Sequence, residues 1–476
     1  MEERARFCPR VEALGPLPDA GELVARLADF RARIALDSAG GTPRRWSLVA
    51  FEPLALGPPP AELGSLRAFH ARLEHAGGDD VPGPFHGGFL GALAYDLGVH
   101  GERALALPRD AWGTPLVIGG LYVDFLVRDE TNGDGWLVLG DAPGDGRAPV
   151  RARRERVLAA LRAPPLELVP PRPLAALVRH TPPEVHMRRI GALRERIAAG
   201  ELYQANLAHR FTRSVATTPA ALYRRLRAVN PAPYAAFLEW DSRNSAGALG
   251  TPRGALLSAS PELLLEFDGA VARTRPIKGT IARGKTPAED AERAARLLAS
   301  AKDRAELAMI VDLERNDLGR VARAGSVRVE AFPRLETFAT VHHLVADVVA
   351  EAAPDRDAFD LLAALFPGGS ITGAPKLAAL RAIAELEGEG RGFFTGAAGF
   401  VDTRGRAAFD ILIRTLVWRP GSAPDASEVA YHVGGGITWS SDAAEEDAET
   451  LAKGAALADA LDEAGAGSRR SGREPS

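Results

Sequence analysis

The chain carries one cysteine, Cys8, in 476 residues. A lone thiol cannot close an intrachain disulfide, and without a CxxC partner it offers no zinc site. Long apolar runs are missing too: no stretch approaches the roughly 18 residues that read as a membrane span. The opening residues, MEERARFCPRVEALG, lack the apolar core of a signal peptide. A soluble, cytoplasmic protein is expected. No charge of one sign dominates: Lys+Arg 58 against Asp+Glu 62 leaves a net charge of -4, with no electrostatic reason to expect nucleic-acid binding. There is no internal repeat, no Walker A loop and no G-x-G-x-x-G fingerprint.

What is present is an ordinary globular mixture, 46% hydrophobic and 25% charged, on a chain long enough for a sizeable core. Residues 1–162 mix short strands and turns: WSLVAFEPLAL (46–56) and LYVDFLVRD (121–129) are strand-like, and RERVLAALRA (154–163) has helical period. Residues 163–180 are proline-rich and read as a linker. From 181 to 465 helices and strands alternate. A helix capped by Thr181 should stop at Gly200, and residues 288–322 read as one long helical segment. Residues 466–476 read as a disordered tail.

Two acidic pairs, Asp303 with Glu306 and Glu446 with Glu449, each lie three apart on a predicted helix and so share a face. Two such helices can hold a hard divalent cation, although pairs at this spacing are equally at home on solvated faces. PGGSITGAPK (367–376) joins two predicted helices, and the second helix start offers free N–H groups to an anion. VGGGITW (433–439) runs from strand to turn with bare backbone that a ligand can approach; either serves equally as a plain chain reversal. In the first, Ser370 or Thr372 is placed to cap the helix that follows. TRPIKGTIARG (274–284) sets Lys278 in what reads as a stiff turn between Pro276 and Gly279; on its own that is a surface lysine.

Taken in order, GELYQANLAHRF, NPAPY, SASPELLLEF, TRPIKGT, SAKDRAELAMIVDLERNDLGRVA, FATVHHLV, FPGGSITGAPK, ILIRTL and GGGI with its acidic helix resemble one family. It is the chorismate-utilising enzymes: the large subunits of anthranilate synthase and aminodeoxychorismate synthase, with isochorismate and salicylate synthases as cousins. The resemblance is close from about residue 180 to 460 and loose before that. It implies an α/β fold of the α+β type, a large antiparallel-sheet sandwich flanked by helices, with the N-terminal lobe interleaved.

The resemblance also implies roles. Glu306 and Glu449 match the ligands of Mg2+, with Asp303 and Glu446 in the surrounding acidic shell. Glu262 matches the acid that protonates the departing 4-hydroxyl of chorismate. Arg414, Lys453 and the backbone of Gly434, Gly435 and Gly436 match the groups that bind the substrate carboxylates, and Thr280 and His343 match further pocket residues. Anthranilate synthases carry alanine at the position of Lys278, whereas isochorismate and salicylate synthases carry their water-activating lysine at the position of Gln204. Gln204 together with Lys278 is the aminodeoxychorismate synthase pattern, with Lys278 as covalent nucleophile. Ala408, Phe394 and Ile281 depart from the family's commoner residues. Cys8 lacks the context of a glutaminase nucleophile, so ammonia would come from a separate glutamine amidotransferase. The alternatives are anthranilate synthase and a catalytically idle metabolite-binding relative.

Overall fold

The computed structural model describes residues 4–39, 45–57, 63–100, 108, 110–142, 144–164, 167–241, 253–338, 341–423 and 425–462. The expected tail, 466–476, lies outside the described residues. Runs rich in branched and aromatic residues build two sheets, one of 14 strands and one of 10. Among the described residues, the pairing of Ala5–Pro16 with Leu73–His75 is parallel and the others are antiparallel, as expected.

The sheets pack face to face. Leu36, Leu48, Phe125 and Leu256 of the first meet Leu90, Tyr122, Phe400 and Ala408 of the second in one buried layer. Helices cover the outer faces. Pro219–Val229 and Ala443–Ala460 set Leu222, Leu226 and Leu457 against Phe237, Leu257 and Tyr431. On the other side, Ala301–Gly319 and Ala358–Leu365 set Leu307, Val311 and Leu362 against Leu265, Leu344 and Val348. Each fully buried Leu or Phe contributes about 1.5–3 kcal/mol, so these layers dominate the stabilisation. No helix of the described residues is long and apolar enough to cross a membrane.

Strands from both sides of the proline-rich segment build both sheets. Ile34–Asp37 pairs with Tyr234–Trp240 in the first, and Gly88–Leu93 with Ala397–Asp402 in the second. The segment itself is not bare linker: Arg172–Pro173 and Val178–Arg179 pair along Gln204–Ala216.

Several local expectations are corrected. The long helical segment is two helices, Pro287–Ala299 and Ala301–Gly319, because Ser300 leaves helical geometry and its hydroxyl caps the second by accepting from the Asp303 N–H. The helix Pro183–Ala198 starts after Pro182 with no side-chain cap, so Thr181 does not serve; the chain does reverse at Gly200, φ 79°. Neither Ser370 nor Thr372 caps Lys376–Glu387, whose cap residue is Pro375; the Thr372 hydroxyl instead donates to the Gly368 carbonyl at 2.8 Å. TRPIKGT is not a turn. Val271–Arg275 and Ile277–Ala282 both pair with Val341–Glu351, so Pro276 merely interrupts one strand.

Candidate active site

The chain passes from the first sheet to the second between Gly254–Ser260 and Leu263–Phe267, and Glu262 sits at that crossing. It passes back between Ala407–Ile411 and Thr415–Pro420, and Arg414 sits there, in the left-handed region at φ 52°. The two crossings are bonded together: the Ile411 N–H donates to the Glu262 carbonyl at 3.0 Å. The polar residues therefore gather where two sheets exchange strands, a place that regular ladders cannot fill.

Lys278 reaches this place from the edge strand Ile277–Ala282. A bulge between Lys278 and Thr280 is taken up by Gly279, φ 78°. A Cβ at Gly279 would also lie 2.9 Å from the Asp303 carboxyl carbon, so glycine is required twice over. The Lys278 ammonium is 3.5 Å from the Ser370 carbonyl. Burial pushes its pKa below the ordinary lysine value; Glu306, Glu262 and Glu449 oppose that, and Lys453 reinforces it.

Opposite stands the strand Ser427–Ile437, whose neighbour Thr415–Pro420 stops pairing with it at Tyr431. Beyond that point one edge is open, and the Gly434 carbonyl there accepts from Lys453 Nζ at 3.4 Å. VGGGI is thus strand, as expected, with the turn following Ile437, and its glycines allow close approach. A Cβ at Gly436 would lie 2.7 Å from Gln204 Nε2 and 3.5 Å from Lys278 Nζ; one at Gly435 would lie 3.2 Å from Glu446 Oε2. Both amide atoms of Gln204 are buried with no hydrogen-bond partner among the described residues.

The acids come from two helices. Asp303 and Glu306 project from Ala301–Gly319, and Glu446 and Glu449 from Ala443–Ala460. Burial, with Asp303 and Glu446 adding to it, raises the Glu306 pKa against Lys278 and Lys302. For Glu449, burial is outweighed by Lys453, 2.7 Å away, and its pKa falls. Glu446 accepts from the Ser441 hydroxyl at 2.6 Å. Glu262 is 4% exposed; burial pushes its carboxyl up, against Ser370, Lys278, the Ile277 N–H and Arg414.

The Arg414 carbonyl accepts from the Ala259 N–H at 3.1 Å, but its guanidinium makes no hydrogen bond or ion pair among the described residues; burial lowers its pKa, with Glu262 opposing. Thr280 Oγ1 lies 2.8 Å from His343 Nδ1. Burial, then Arg414, push His343 down to about 3, so the ring is neutral. Every residue expected from the sequence to have a catalytic, substrate-binding or metal role lies in this one neighbourhood. Of the departures, Ala408 faces the core between the sheets rather than the site.

Glu314 went unread in the sequence. It is 2% exposed, accepts from Thr274 Oγ1 at 2.9 Å, and burial pushes its pKa up to about 8. The signal was available: Leu307, Ile310, Val311, Glu314 and Leu318 form one buried helical stripe, and a glutamate in such a stripe is out of place. Lys376, of the GAPK turn, is likewise committed, to Asp317 at 2.6 Å.

A half-buried lysine, a buried acid whose pKa is raised, and an arginine guanidinium left unpaired among the described residues, all at the junction of two sheets, suit an enzyme site for a small anionic substrate. The chain belongs to the chorismate binding enzyme family, whose model matches residues 58–459. It is 38% identical to anthranilate synthase component 1 of Streptomyces coelicolor, over 88% of this chain and 81% of that protein. It is 36% identical to aminodeoxychorismate synthase component 1 of Bacillus subtilis, over 75% of each. The crystal structure of anthranilate synthase component I from Streptococcus pneumoniae superposes with a TM-score of 0.72 at 28% identity, over 88% of this chain and 93% of that one.

Proposed function

We propose that this chain is the large subunit of an aminodeoxychorismate synthase, which replaces the 4-hydroxyl of chorismate by an amino group. The observation that carries the reading is Lys278: a desolvated amine flanked by Glu262 and by the acidic pairs. The family resemblance implies that anthranilate synthases have alanine at this position, and so no side-chain nucleophile there.

Hydroxide is a poor leaving group, so the replacement is divided into two displacements. The neutral Lys278 Nζ attacks C2 of the ring, the ring double bonds shift, and the C4–O bond breaks as the Glu262 carboxyl gives its proton to the departing oxygen, which leaves as water. Ammonia then attacks C4, the double bonds shift back, and the C2–Nζ bond breaks. Lys278 leaves directly from its ammonium adduct as a free amine, and the new C4 ammonium returns one proton to Glu262. The sum is chorismate plus ammonia giving 4-amino-4-deoxychorismate plus water, with the enolpyruvyl ether intact. Arg414, Lys453 and the open backbone edge at Gly434–Gly436 hold the two substrate carboxylates. Neutral His343, with Thr280, orients the ring without adding charge.

The acidic residues fit Mg2+. They are hard oxygen donors from two helices, crowded enough that Asp303 and Glu446 raise the proton affinity of Glu306. Glu306 and Glu449 would hold the ion, with Asp303 and Glu446 around it. Bound there, Mg2+ supplies Lewis-acid polarisation of the ring carboxylate. A glutamine amidotransferase partner would supply the ammonia, for 4-aminobenzoate and folate synthesis.

The test is product identity. The chain with chorismate, Mg2+ and ammonium should give 4-amino-4-deoxychorismate by mass spectrometry. Anthranilate would overturn the assignment within the family, and unchanged chorismate would favour an idle relative.

A further inference from the structure

Away from the acidic site, three elements meet at a second cluster: the helix Pro183–Ala198, the strand Gln204–Ala216 and the helix Ala443–Ala460 bring His186, His209 and Asp447 together, 1%, 3% and 8% exposed. The imidazole rings are 4.6 Å apart between centroids. The hydrogen bonds fix both tautomers. Asp447 Oδ1, an acceptor, is 2.7 Å from His186 Nδ1, so that nitrogen carries the proton. Thr450 gives its one hydroxyl proton to the Asp447 carbonyl at 2.8 Å. Its oxygen, 2.9 Å from His209 Nε2, must therefore accept, and His209 is protonated at Nε2.

Two bare lone pairs are left, on His186 Nε2 and His209 Nδ1. Both atoms are buried and neither has a partner among the described residues. A single orphaned buried acceptor costs about 1–3 kcal/mol; two on touching rings ask for one shared electron-pair acceptor. Burial disfavours protonation of both rings. One nitrogen of each ring and one Asp447 oxygen already lie within 4.8 Å of one another. Asp447, itself held by Arg179, stands to His186 as the outer carboxylate that orients a ligating histidine.

We propose that His186 Nε2 and His209 Nδ1, with Asp447 as the outer carboxylate that orients His186, bind a divalent ion of the zinc class completed by water, at a site distinct from the acidic one. Two imidazole donors, one of them oriented by a carboxylate, suit zinc and disfavour magnesium, which prefers oxygen alone. The site would act as a clamp. The ion would join His209, on the strand that begins at Gln204, to His186, whose ring is held by Asp447 beside Glu446, and so tie together two elements that line the active site. This does not depend on which chorismate reaction the enzyme performs.

The experiment uses full-length protein stripped with a chelator, then given zinc with magnesium in excess so that the carboxylates are occupied. One zinc per chain should survive gel filtration, with a raised Tm. His209→Gln, whose amide can still donate to Thr450, should lose both effects while keeping its circular dichroism. Retention of no zinc by wild type would overturn the proposal and leave a bridging water as the partner of the lone pairs. Equal zinc binding and Tm shift in His209→Gln would overturn it as well. Should that variant fail to fold, wild type loaded with Co2+ decides. Intense visible bands of a four-coordinate ion support the site, and only the weak bands of six-coordinate cobalt contradict it.

Discussion

A lysine nucleophile must be neutral when it attacks, and a general acid must keep its proton until the hydroxyl departs. Burial provides both here, moving Lys278 down and Glu262 up. The signs give a pH profile. Activity falls on the acid side as Lys278 takes up its proton, and on the alkaline side as Glu262 loses its own. Glu262→Gln should lower kcat about 10²–10⁴-fold and remove the alkaline limb, measured as kcat against pH. A variant that keeps the wild-type profile would take Glu262 out of proton transfer. These residues were legible because the motifs around them, SASPE and PIKGT, are distinctive strings. Their environments were not legible, because desolvation depends on which sheets and helices close over a side chain.

At the scale of elements, patterns that depend on local chemistry were legible and those that depend on a partner element were not. The Gly200 stop and the alternating strands follow from local rules. The bulge at Gly279 does not: it exists because Asp303, from a helix distant in sequence, fills the space where a side chain would go. Glu314 shows the same limit, since its burial needs the strand that carries Thr274. Its folded-state pKa is raised from 4.5 to about 8, with Glu262, Lys376 and Asp317 around it. Between those values the folded chain holds a proton that the unfolded chain has lost, so this group's contribution to stability falls as pH rises. Glu314→Gln keeps the acceptor for Thr274 without titrating. The wild-type Tm should therefore drop relative to the variant across that interval; parallel Tm curves would show that Glu314 is ionised in the folded state.

At the scale of the molecule, the composition change at the proline-rich segment reads as a division of the chain, yet strand pairing runs across it in both sheets. Register between strands far apart in sequence is set by packing, which no local pattern reports. Residues 1–162 and 181–476, expressed separately, should each fail to show a cooperative thermal transition and should regain one when co-expressed. A fragment that melts alone near the whole chain's Tm would show two independent bodies. The junction these sheets create gives Lys278 its desolvation and its acidic neighbours, and so the chemistry proposed for it. The most direct measurement is the rate of 4-amino-4-deoxychorismate formation by Lys278→Ala, with chorismate, Mg2+ and ammonium, beside wild type. Loss of a covalent route should lower that rate by orders of magnitude. Formation at the wild-type rate would contradict a nucleophilic role for Lys278.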